Sequence, residues 1–206
     1  MDRKGQILVR GVLMWAGLAI AIGVPLAASA VSPLLAWRDP IYIAAGFAGI
    51  VALVTLLVQP LLAGGLMPGL SVSRARRMHR LTGGILVVAV VSHVGGLWIT
   101  SPPDVIDALL FVSPTPFSNW GVIAMWAVFA SALIAIFRSR LRLPVWRVAH
   151  TALAAVIVVG GIVHTLLIEG TMEGVSKVAI CSVVLIVTVK VIVKRRSWAP
   201  FKRRKT

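Results

Sequence analysis

The sequence predicts an all-α fold: a polytopic membrane bundle of six transmembrane helices with both termini on the cytoplasmic side. Three observations lead there. Of 206 residues, 59% are hydrophobic and only 13% are charged, where a soluble domain carries about 25% charged residues. The mean hydropathy is +0.97. Apolar runs of membrane length recur along the whole chain, separated by polar or Pro/Gly-rich breaks. A helix crossing the hydrocarbon core takes about 20 apolar residues, so the chain has room for six crossings and little else.

The first crossing is expected over residues 7–30. Arg3, Lys4 and Arg10 precede or open it, and it ends in Ala28-Ser29-Ala30, a pattern that resembles a signal-peptidase site. Cleavage there would start the chain outside and leave every later helix in the same orientation. The next two crossings are read at 41–63 and 78–100. A long break, 101–117, follows; Pro102, Pro103, Pro114 and Pro116 prevent a continuous helix through it. The last three crossings are read at 118–137, 145–168 and 174–193, with a basic cytoplasmic tail at 194–206. Residues 1–206 thus form a single transmembrane domain.

Net charge is +15, which in a soluble chain would suggest nucleic acid as a partner. The distribution argues against that: the basic residues lie between and after apolar runs, where they orient a membrane protein, and no aromatic-basic stacking pattern occurs. With the N-terminus inside, the inner segments hold Arg3, Lys4 and Arg10, then Arg74, Arg76, Arg77 and Arg80, then Arg138, Arg140, Arg142 and Arg147, and the basic C-terminal end from Lys190 to Lys205. Outside fall Arg38 and Lys177, together with Asp39, Asp104, Asp107, Glu169 and Glu173. The bilayer is the first expected partner, in the cell (inner) membrane. Cys181, the single cysteine, lies inside an apolar run and excludes an intramolecular disulfide.

The four histidines fall on two of these helices. His79 and His93 lie on the third crossing, His150 and His164 on the fifth, and both spacings are 14 residues. Fourteen helical steps return to nearly the same face about 21 Å along the axis, so each pair puts one member toward each leaflet. The two helices run in the same direction. His79 therefore comes level with His150, and His93 with His164. Two level imidazoles on facing helices form an axial clamp for a low-spin haem iron, and two clamps imply two b-type haems.

On those faces Thr82, Gly83, Leu86 and Val90 lie between the first two histidines, and Leu153, Ala154, Ile157, Gly160 and Gly161 between the second two. They suit a flat macrocycle, although small residues also line ordinary helix interfaces in membranes. A proton relay or transporter would also use intramembrane histidines. Identical spacings and level partners favour haem, and four tetrahedral zinc ligands cannot come from two layers so far apart. Arg76, Arg77, Arg80 and Arg147 lie within a turn of His79 or His150, where guanidinium groups would pair with haem carboxylates. Positive-inside topology accounts for the same arginines. Trp98 and Trp120 read as interfacial anchors on the other side.

At these residues the sequence resembles the ferric reductase-like transmembrane family, which includes the membrane domains of NADPH oxidases and metalloreductases and the haem-binding subunit of the periplasmic methionine sulfoxide reductase system. The resemblance rests on Arg76-Arg77-Met78-His79-Arg80-Leu81-Thr82-Gly83 with Ser92-His93, and on Leu143-Pro144-Val145-Trp146-Arg147-Val148-Ala149-His150 with Val163-His164. It implies electron transfer through haem b from a cytoplasmic or membrane donor to an acceptor on the outer face. On this reading no flavin or nicotinamide domain follows the last helix. A separate flavoprotein or quinol would then be the donor, bringing flavin or quinone, and an outer-face reductase could be the recipient. The chain differs from the methionine sulfoxide reductase subunit in carrying a histidine at position 79. The alternatives are a quinol-linked cytochrome b subunit of a respiratory or periplasmic reductase system and a haem-free membrane transporter or scaffold.

Overall fold

A computed structural model describes residues 3–195. Among them the regular structure is helical throughout: α1 (Arg3–Ala30), α2 (Pro40–Gly64), α3 (Val72–Thr100), α4 (Pro102–Leu109), α5 (Pro116–Ile136), α6 (Leu143–Leu167) and α7 (Gly174–Arg195). All but α4 are long and apolar enough to cross a membrane. The six expected crossings correspond to α1, α2, α3, α5, α6 and α7. The expected basic tail from residue 196 onward lies outside the described residues.

Local chemistry sets the helix ends. The Asp39 carboxylate accepts the backbone N–H of Ile41 at 2.7 Å, and Pro40 occupies the first turn of α2, where a missing N–H costs nothing. Gly65 closes α2 in the left-handed region at φ 63°, which a residue without Cβ adopts freely. Ser71 caps α3 by accepting from the Arg74 N–H. Glu173 accepts the Val175 and Ser176 N–H groups at the start of α7. Those bonds, from Ser176 foremost, hold its carboxyl below the ordinary carboxylate range.

One expected boundary moves, and one short helix is added. The third crossing starts at Val72, six residues before the expected boundary at Met78, because the Ser71 cap starts a helix in a segment too polar to be read as membrane. Arg74, Arg76, Arg77 and Arg80 consequently lie on the helix itself. No continuous helix runs through the 101–117 break, as expected, but its first half forms the two-turn α4. Pro102 and Pro103 stand in its first turn, the position where proline suits a helix, and Val105 is buried beneath it.

The bundle is two helix hairpins and two further helices. α3 packs along α2 and α6 along α5, while α7 lies against both α2 and α6 and α1 touches the edge of the bundle. The core centres on α2 and α7, with Leu53, Leu57, Leu61, Cys181 and Val184 buried together. Helices in a bilayer associate through such close packing rather than by escaping water. Large apolar side chains elsewhere, among them Leu13, Val88 and Ile186, are exposed and face where lipid would lie. α3 and α6 do not pack closely along their lengths. Side chains bridge the space between them, and those side chains are the histidines.

Candidate cofactor-binding site

α3 and α6 both begin on the side bearing the arginine-rich segments, called here the basic side. The helix directions bring the histidines level in two layers. The His79 and His150 rings lie 6.3 Å apart between centroids at 77° to one another, and the His93 and His164 rings 6.3 Å apart at 79°. Two imidazoles bonded on opposite sides of one metal, each at about 2 Å, place their centroids about 6.3 Å apart, whereas neighbouring corners of a tetrahedral site bring them to about 5 Å. Both layers therefore match the ring separation of a linear N–metal–N arrangement, such as the axial set of a haem.

Hydrogen bonds fix the rings. His93 Nδ1 lies 2.7 Å from the Ala45 carbonyl oxygen, and His164 Nδ1 lies 2.9 Å from that of Phe117. A carbonyl only accepts, so in each ring Nδ1 carries the proton and Nε2 keeps its lone pair free for a metal. His150 Nδ1 meets the Ser131 hydroxyl at 3.1 Å. Around His79, the Gln59 amide donates to the His79 backbone carbonyl and to the Thr82 hydroxyl.

Close backbone approach makes this possible. A Cβ on Gly121 would lie 2.7 Å from His164 Nδ1, and one on Gly49 3.0 Å from His93 Nδ1. Sequence reasoning missed Ala45, Gly49, Gln59, Phe117, Gly121 and Ser131, all on the helices that carry no histidine. One trace was available: Gly49 precedes His93 by 44 residues and Gly121 precedes His164 by 43.

The residues expected to line the space between the layers divide. Leu86 and Ile157 are buried in the core, with Val90 and Leu153 packed against it, and they separate the two layers with apolar material. Gly160 instead faces the Trp120 carbonyl and Ala124 on α5, and Gly161 faces Leu56 on α2. Gly160 thus serves helix packing, the ordinary role of small residues in membranes. Gly83 lies near the Gln59 amide.

On the basic side, Arg76, Arg77, Arg80 and Arg147 are exposed around the His79 and His150 layer. The Trp146 ring stacks on His150 at 5.4 Å and 11°, and the Arg138 guanidinium sits 5.0 Å over Trp146. A cavity of about 450 Å³ opens beside this column, lined by Ile136, Arg138, Ser139, Leu141, Leu143 and Trp146. On the other side Trp98 and Trp120 are both partly exposed near helix ends, as membrane-interface anchors are.

Fold and site define an integral membrane protein in which two pairs of histidines bridge two helices. The chain belongs to the family described as ferric reductase like transmembrane component, whose model matches residues 45–161. The match takes in His79, His93 and His150 and stops three residues short of His164. No curated protein and no solved structure matches the chain. The family suggests transmembrane electron transfer.

Proposed function

We propose that the chain carries electrons across the cell membrane through two b-type haems, one held by His79 and His150 and the other by His93 and His164. The observation that carries this reading is the 6.3 Å ring separation in both layers, with the proton on His93 and His164 placed at Nδ1 by main-chain carbonyls. When bound, the haems supply reversible one-electron chemistry. The protein's part is to hold each ring at the required distance, to turn Nε2 toward the iron, and to keep the layers in an apolar medium. Arg76, Arg77, Arg80 and Arg147 are available to pair with carboxylates at the inner layer. The basic side is taken as cytoplasmic on the positive-inside rule. A separate flavoprotein is the donor on that side, and an outer acceptor or reductase receives the electrons.

Pyridine haemochrome assay of the purified protein tests the reading. It should give about two haems per chain, and the untreated protein should show a low-spin absorbance spectrum. A stoichiometry near one would leave one layer without its group, and a colourless protein would sink the proposal.

A second donor is favoured by one observation. The cavity beside Trp146 has apolar walls at Ile136, Leu141 and Leu143 and polar groups at Arg138 and Ser139, a lining that suits the headgroup of a membrane quinol. That would make the chain a quinol-linked cytochrome b subunit.

A further inference from the structure

The hairpins α2–α3 and α5–α6 hold their histidines from corresponding positions. His79 and His93 each precede their partners His150 and His164 by 71 residues, and Ala45 and Gly49 precede Phe117 and Gly121 by 72. On the side away from the arginines the correspondence is complete: each imidazole donates to a main-chain carbonyl and each lies over a glycine. At the inner layer it breaks. Gln59 and Ser131 are again 72 apart, but the Gln59 amide reaches the His79 main-chain carbonyl at 3.3 Å and the Thr82 hydroxyl at 3.1 Å, while the Ser131 hydroxyl meets the ring of His150 at 3.1 Å.

The three Nδ1 contacts therefore differ in kind. The Ala45 and Phe117 acceptors are carbonyl oxygens at 2.7 and 2.9 Å, set by the helix backbone and indifferent to the side chain. With Nε2 on the iron the His150 Nδ1 carries the proton, and its acceptor is then a side-chain hydroxyl, buried at 9% exposure, at the longer distance of 3.1 Å. A partner that takes the Nδ1 proton more strongly makes the imidazole a better donor through Nε2, which stabilises the oxidised metal and lowers its potential. A hydroxyl is the weaker acceptor of the two.

We propose that Ser131 is a positioning residue that tunes the redox potential of the inner centre separately from that of the outer one. The inference rests on the di-haem reading above. The outer rings are held by main-chain carbonyls, whereas the His150 ring meets a side-chain hydroxyl that a single substitution removes.

The test is a potentiometric titration of haem absorbance in the purified, haem-loaded protein, with Ser131→Ala, Ser131→Thr and Ser131→Cys beside the unsubstituted chain. The wave belonging to the inner centre is identified as the one that His150→Leu removes. Ser131→Ala should shift that wave upward and leave the other in place, and Ser131→Thr, which keeps the hydroxyl, should restore it. Ser131→Cys, a weak acceptor of similar size, should fall on the alanine side, and it serves if the alanine protein fails to assemble. An inner wave that does not move, that moves downward, or that moves together with the outer wave overturns the proposal. Absence of haem from the unsubstituted protein would instead overturn the reading beneath it.

Discussion

Gly121 and Gly49 show how much of the site depends on atoms that are missing. A methyl group at Gly121 would meet His164 Nδ1 at 2.7 Å and Cε1 at 2.9 Å, closer than real Cβ contacts come, and the ring cannot retreat without giving up the Phe117 carbonyl. Gly121→Ala should therefore weaken haem retention at the outer layer by about 10- to 100-fold, the usual cost of disturbing a ligand's support. Gly49→Ala, at 3.0 Å, should cost less. Gly84→Ala, where a Cβ would meet nothing within 4 Å, should be neutral. Haem content after detergent washing, followed by difference spectra, checks all three; equal loss from Gly84→Ala and Gly121→Ala would mean that crowding at His164 is not the cause. The histidines themselves were legible in the sequence because a rare ionisable residue repeated at one spacing stands out against an apolar background. Their supports were not. Ala45 and Phe117 act through backbone carbonyls, which any residue possesses, and Ser131 is one hydroxyl among several in apolar helices.

At the scale of the helices, the sequence signal was strongest where composition alone decides. Long apolar runs fixed the number of crossings, while the start of α3 was missed because a serine cap, not hydropathy, sets it, and α4 because proline is a helix breaker everywhere except in the first turn. Directions mattered more than boundaries. α3 and α6 run the same way, so the near members of the two histidine pairs face each other, and the test is genetic. His79→Leu and His150→Leu should each abolish the same redox wave, and His93→Leu and His164→Leu the other, with about one haem per chain remaining in every variant. If His79→Leu and His164→Leu shared a phenotype, the two helices would have to run in opposite directions and the six-crossing topology would fail with them.

For the molecule as a whole, the asymmetry between its two sides is what gives the proposed electron path a direction. The basic side gathers Arg74, Arg76, Arg77 and Arg80 on α3 and Arg138, Arg140, Arg142 and Arg147 around the start of α6, whereas Asp39, Asp104, Asp107, Glu169 and Glu173 lie on the other. An acidic flavoprotein would be drawn to the first surface by a field that salt weakens over a Debye length of about 10 Å at 0.1 M. The Arg138, Trp146 and His150 column provides aromatic contact from that surface to the inner layer, and Leu86 and Ile157 separate the inner layer from the outer. Sealed vesicles of both orientations then give the decisive measurement. A flavin reductase with NAD(P)H should reduce the haem only when the basic side faces the medium, at a rate that falls as salt rises, and an impermeant acceptor should reoxidise it only from the opposite side. Trp146→Leu should slow that reduction while leaving chemical reduction by dithionite complete. Reduction by added quinol alone, with no need of a flavoprotein and no dependence on salt, would transfer the donor site to the cavity beside Trp146 and the protein to the quinol-linked reading.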